Sequence, residues 1–175
     1  AGPRAADMGV NTAVMRQAVV MQMTWVGAPT LYYGDEAGVC GWTDPDNRRS
    51  YPWGREDNEL IRFHKEMIRI HRDYQVFKTG SMLYLHSENG LIVYGRFQGE
   101  EKAVIVVQTG GTQREIQVDV WRLGLKDGEK IASMMATDQQ GFFLEARVLT
   151  VKDGKVSISV GENGAVLYKS IRNLI

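Results

Sequence analysis

The apolar residues of this chain change their period once, near Phe77–Gly80, and that switch limits the possible folds more than any other feature. Before it the spacing is helical. From Asn11 to Val26, the residues Val14, Met15, Ala18, Val19, Gln22, Trp25 and Val26 recur on one helical face. Asn11 and Thr12 are candidate caps, and Gly27 followed by Pro29 is a stop signal. The run from Ala28 to Tyr33 is short, apolar and bounded by Gly34, so it reads as a buried strand covered on both faces. Residues 34–56 form a long loop rich in Gly, Pro, Asp and Arg, a length that in a compact domain points to function or disorder. Asp57 is placed to cap a second helix reaching about Tyr74, with Leu60, Ile61, His64, Met67, Ile68, His71 and Tyr74 as its apolar stripe. Helix, strand, loop and helix in that order are one slice of a parallel α/β architecture.

After the switch the period is two. Ile116, Val118 and Val120 alternate with Glu115, Gln117 and Asp119, and Val156, Ile158 and Val160 alternate with Ser157 and Ser159. Asn89-Gly90, Asp127-Gly128, Asp153-Gly154 and Asn163-Gly164 punctuate these runs as turns. Asp153-Gly154 is the clearest hairpin signal, because a type I′ turn needs φ > 0 at both central residues. About eight short strands at this spacing predict an antiparallel sandwich.

Charge narrows the function. Lys plus Arg number 21 and Asp plus Glu number 21, so the chain has no bulk attraction for nucleic acid or an anionic membrane surface. No apolar run approaches the ~18 residues that cross a bilayer. One Cys excludes an internal disulfide framework. His64 and His71 lie seven apart, whereas paired helical metal ligands sit three or four apart, so both read as core or boundary histidines.

The segment GAPTLYYGDEAGVCGWTDPDNRR, residues 27–49, resembles the α-amylase family of glycoside hydrolases. Within it the likeness is to the neopullulanase, cyclomaltodextrinase and maltogenic amylase group, and it extends through YPWGREDNELIRFHKEMIRIHR and weakly over the β-rich tail. Residues 1–77 would then be the C-terminal slice of a (β/α)8 catalytic barrel, its last helix–strand–helix. Residues 78–175 would be an antiparallel Greek-key β-sandwich. The family's nucleophilic Asp, acid Glu and third Asp lie on earlier barrel strands, and none of those motifs occurs here, so no catalytic residue is expected in this chain. The expectation is the C-terminal portion of a longer retaining hydrolase of starch, maltodextrin, cyclodextrin or pullulan, inactive alone.

Asp44, Arg48 and Trp42 are the candidate substrate-binding residues. In barrel enzymes the loops after strands build the active-site face, and the resemblance places Asp44 and Arg48 where glucose units beyond the cleavage point bind. Asp accepts hydroxyl protons and Arg donates a fork of N–H bonds. Trp42 can stack on a pyranose ring, while Tyr51 and Trp53 read as packing residues. Asp35-Glu36 is framework: a retaining glycosidase needs two carboxyls about 5–5.5 Å apart facing one sugar, and adjacent residues leaving a strand point apart. No cofactor is called for, and DPDNRR is a poor calcium loop, having Arg48 and Arg49 where such a loop needs Asp or Asn and then Gly. The compartment is open, with the cytoplasm favoured by resemblance. Expected partners are an α-glucan oligosaccharide and the remainder of the barrel, or a second copy; otherwise the helices pack on the β-domain. The competing reading is a non-catalytic β-module for glucan binding or domain stabilisation. Of its aromatics, Phe142-Phe143 is the pair to examine for exposure.

Overall fold

A computed structural model of the chain describes residues 12–171; the expected cap at Asn11 lies outside them. Helix α1 (Thr12–Thr24) buries Ala13, Arg16, Gln17, Val19, Val20, Met23 and Thr24. Helix α2 (Asn58–Asp73) starts at Asp57, whose carboxylate accepts the Leu60 N–H at 3.0 Å and so satisfies one of the first-turn donors. Its buried face is Leu60, Phe63, His64, Met67 and Ile70. Phe63 and Ile70 were absent from the expected stripe, and Ile68 is exposed instead, because the helix rolls its larger side chains toward the sheet beneath it. Tyr74 is extended (φ −117°, ψ 124°), which ends α2 and starts the short helix α3 (Gln75–Thr79).

The strand expected at 28–33 does not form. A buried parallel strand needs ladder partners on both sides, and none of the described residues lies alongside to supply them. The segment runs irregularly, with Tyr32 and Tyr33 nearly half exposed.

The remainder is antiparallel sheet: β1 (Ser81–Glu88), β2 (Leu91–Gln98), β3 (Glu101–Gln108), β4 (Arg114–Asp119), β5 (Lys130–Thr137), β6 (Phe142–Phe143), β7 (Val148–Thr150), β8 (Lys155–Val160) and β9 (Ala165–Ile171). One sheet has the order β1-β2-β3-β9-β5-β6, with β7 also on β5, and a second pairs β4 with β8. Asp153 and Gly154 both take positive φ, 52° and 71°, as the hairpin signal requires. The hairpin itself is one bridge long, Lys152↔Lys155. Beyond it β7 joins β5 in the large sheet while β8 joins β4 in the small one, so the turn is a corner between sheets.

Three layers result. On one face of the large sheet, Tyr94, Ala103, Ile105, Val107, Met135, Ala165 and Leu167 pack against Val19, Val20 and Met23 of α1, Phe63, Met67 and Ile70 of α2, and Val76 and Phe77 of α3. On the other face, Val93, Val104, Val106, Val166 and Tyr168 pack against Val118, Val156, Ile158 and Val160 of the small sheet. Each fully buried aliphatic side chain stabilises by about 1.5–3 kcal/mol. The helices therefore cover one face of the large sheet.

Polar clamps fix the helix layer. Arg96 is 1% exposed. Its guanidinium donates to the carbonyls of Thr24, Trp25 (2.8 Å) and Gly80 (2.7 Å), with Phe77 at 3.5 Å. These are the C-terminal ends of α1 and α3, where unpaired carbonyls and the helix dipoles favour a cation. Burial lowers its pKa from the ordinary guanidinium value, and Tyr94 opposes that shift. The Tyr94 hydroxyl lies 2.6 Å from Thr24 Oγ1, and the Gln17 amide reaches the carbonyls of Gln108 and Gly164.

Candidate functional site

The loop between α1 and α2 is ordered around two single-turn 3-10 helices, Asp35–Ala37 and Asp46–Arg48. The first is tied to α2: the N–H of Asp57, the α2 cap, donates to the Ala37 carbonyl at 3.1 Å. Glu36 turns back on its own turn and accepts the Gly34 N–H at 2.9 Å. Its charge also acts on the Tyr51 hydroxyl. Desolvation first, then the charges of Glu36 and Glu56, push that hydroxyl's pKa up. Glu36 thus spends its carboxylate on the loop, as a framework residue does.

The second turn follows a cis Asp44–Pro45 peptide. The chain crosses closely over itself at Gly41, where a Cβ would lie 2.6 Å from Asn47 Cα and 2.9 Å from the Asp46 carbonyl oxygen. Only a residue without a side chain permits that approach. Asp46 is the staple of this crossing: its Oδ2 accepts the Trp42 N–H at 2.8 Å and Arg49 Nη2 at 2.8 Å, and its Oδ1 accepts Arg49 Nη2 at 2.9 Å and Nε at 3.1 Å. The Trp42 amide, then Arg49, holds the Asp46 carboxyl below the usual aspartate pKa.

Asp44 and Arg48 form a parallel fork, Nε to Oδ1 at 2.8 Å and Nη2 to Oδ2 at 2.5 Å. Their side chains are 52% and 64% exposed. The structure therefore joins two of the three residues singled out in the sequence and leaves them open to solvent. Trp42, the third, is anchored by its amide to Asp46 and exposes its ring. Trp53 departs from its expected packing role: it is 81% exposed, tilted against Tyr51 with ring centroids 4.5 Å apart. Sequence reasoning missed the Asp46–Arg49 fork, although its three-residue spacing was available as a signal, and it missed Gly41, whose role depends on a crossing that no local pattern encodes.

Chemically, this loop can hold a polyol. Exposed carboxylate oxygens accept hydroxyl protons, a guanidinium donates in a plane, and open aromatic faces meet C–H faces. Asp46 is not suited to act as a general acid, because a proton donor at neutral pH needs a raised carboxyl pKa and Asp46 is shifted the opposite way. The two histidines are structural: His64 Nδ1 lies 2.8 Å from the Leu60 carbonyl and His71 Nδ1 lies 2.8 Å from the Met23 carbonyl. Among the described residues, no three His, Cys, Asp or Glu side chains converge as metal ligands, and no helix is long and apolar enough to cross a membrane.

No family model matches the chain. Curated relatives do. Amylopullulanase of Thermoanaerobacter thermohydrosulfuricus is 35% identical over 174 residues, covering 93% of this chain and 11% of the relative. Neopullulanase 2 of Thermoactinomyces vulgaris is 33% identical, covering 67% of the chain and 21% of the relative. The chain thus spans about a tenth to a fifth of the length of these relatives. In fold it is similar to the α-amylase of Geobacillus thermoleovorans, solved in complex with acarbose, with a TM-score of 0.81 at 22% identity over 97% of this chain and 36% of that one. An Anoxybacillus α-amylase gives a TM-score of 0.83 at 22% identity, over 99% and 37% of the two chains.

Proposed function

Because the chain belongs to the α-amylase family of glycoside hydrolases, as a C-terminal region of it, we propose that it supplies the non-catalytic end of a retaining enzyme acting on α-glucans. Starch, maltodextrin, cyclodextrin and pullulan are the substrates in view. In this reading residues 1–77 complete a (β/α)8 barrel, and residues 78–175 form a Greek-key sandwich behind it. Loop 34–56 is then part of the sugar cleft's wall. The reaction is double displacement: one carboxylate forms a glycosyl-enzyme, and a second carboxyl protonates the leaving oxygen and then activates water. Both of those groups lie on barrel strands outside this region.

The observation that carries the reading is the exposed Asp44–Arg48 fork on a loop stapled by a different pair, Asp46–Arg49. If both pairs served only to stiffen the loop, one would be redundant. With Asp46 holding the crossing, Asp44 and Arg48 are free to exchange their mutual bonds for sugar hydroxyls. The absence of a ladder for residues 28–33 supports the same reading, since that segment has barrel-strand composition and no strand partner among the described residues.

The test is Arg48→Met in an intact hydrolase carrying this region. The expected result is a KM for maltodextrin raised about tenfold, as for one charge-assisted fork, with the hydrolytic step little changed. An unchanged KM would remove the loop from the substrate.

A further inference from the structure

A cavity lies on the β-rich part, remote in sequence from loop 34–56, and it originates in a bulge. Strand β5 pairs with β9 as Ser133↔Tyr168 and then Met135↔Leu167, so Met134 is an extra residue. Past the bulge, Met135 faces the helices, while Ser133 stays on the side of the small sheet with Tyr168. Ser133 then reorganises its other neighbour. Its Oγ accepts the Arg147 N–H at 2.8 Å and donates to the Glu145 carbonyl at 3.1 Å, and its N–H donates to the Arg147 carbonyl at 2.9 Å. Residues 144–147 are thereby held between β6 and β7 without continuing either strand.

The splayed edge encloses a cavity of about 170 Å³ bounded by Phe143, Glu145, Arg147, Tyr168, Asp138 and Gln113. Its volume is well below that of a drug-sized pocket and suits a single pyranose ring. Its chemistry is divided in the manner a sugar requires. Phe143, 47% exposed, offers a flat apolar face, whereas its neighbour Phe142 is spent on the core, tilted against Phe63 with ring centroids 5.3 Å apart. The Tyr168 ring is buried at 4% exposure. Its hydroxyl makes no hydrogen bond among the described residues, nor do the guanidinium of Arg147 and the carboxylate of Glu145 form a hydrogen bond or ion pair there. The hydroxyl shares the cavity with a donor fork and an acceptor that are likewise unspent, and the Arg147 charge acts on it directly. The rim is fixed from the far side by Gly161, where a Cβ would lie 2.7 Å from Asp138 Cβ.

We propose that this cavity binds one glucosyl unit of an α-glucan, with Phe143 as the stacking face and Tyr168, Arg147 and Glu145 as hydroxyl partners. The choice of an α-linked glucan rests on the function proposed above; the existence of a pyranose site does not. Such a site tethers a polysaccharide to the β-region while a different stretch of it occupies the cleft.

The experiment is a titration of the isotopically labelled chain with maltotriose and, separately, with cellotriose, followed by amide chemical shifts. Saturable shifts with maltotriose at Ser133, Phe143, Glu145 and Arg147 are expected. Phe143→Ala should weaken binding about tenfold. Tyr168→Phe, which keeps the buried ring and removes only the hydroxyl, should weaken it roughly fivefold with the melting temperature unchanged. No shift at these residues with either sugar, or unchanged affinity in both variants, would overturn the site and leave the loop proposal standing. Shifts with cellotriose but not maltotriose would overturn the α-linked assignment and count against the shared α-glucan premise.

Discussion

Arg48 and Arg96 each hold several hydrogen bonds, yet one lies 64% exposed against a carboxylate and the other 1% exposed against backbone carbonyls alone. The difference separates two tasks. At the surface a carboxylate partner is weak in its effect on stability, because water screens both charges, and its bonds can be exchanged for those of a ligand. Under the helix layer Arg96 has no carboxylate partner among the described residues, and the cation is satisfied by helix ends that would otherwise keep unpaired carbonyls. The first arrangement is suited to binding and the second to holding α1 and α3 on the sheet.

The largest effect expected from this contrast is at Arg96. Arg96→Met should destabilise the chain by about 3–5 kcal/mol, because the Thr24, Trp25 and Gly80 carbonyls lose their donor at about 1–3 kcal/mol each, read by denaturant unfolding. A loss under about 1 kcal/mol would mean the helix ends find other donors and the contrast is wrong. Gly41→Ala should come next. Its methyl group would overlap backbone at 2.6 Å, and the strain should amount to about 1–3 kcal/mol, with the Trp42 amide signal displaced as the crossing opens. Asp44→Asn and Arg48→Met should then change stability by less than about 0.5 kcal/mol; a larger change would make that fork a structural staple and weaken its assignment to substrate.

The smallest effect is on acid stability. The Asp46 carboxyl is held below its ordinary value, so its contribution is present above the unfolded aspartate pKa of about 3.9 and is lost as pH falls through the lower folded value. Titration of its side-chain carbon signal should show the midpoint below that of a free aspartate. A midpoint at or above it would release Asp46 from its stapling role.

Much of this division was legible in the sequence. The change of period near Phe77–Gly80 located the start of the sheet, where β1 begins at Ser81, because helical and extended backbones present side chains at different intervals. Asp57 and Asp153-Gly154 declared themselves, since caps and tight turns are decided by a few adjacent atoms. Asp44 and Arg48 were singled out through family resemblance, and their four-residue separation matches the fork they make. The strand at 28–33 was misread because its composition answers to neighbours that these residues do not have. The hairpin at Asp153 became a corner because two sheets compete for its arms. Arg96 and the Ser133 bulge gave no local sign: one depends on carbonyls 16 to 72 positions away, the other on the strand pairing of β5 with β9.

The most direct test of the central claim, that this region carries sugar-contacting residues while the bond-breaking carboxyls lie elsewhere, is reducing-sugar release from soluble starch and cyclodextrin by the purified 175-residue chain. The account predicts none above background. Sustained turnover, abolished by replacing a carboxylate of this chain, would contradict it.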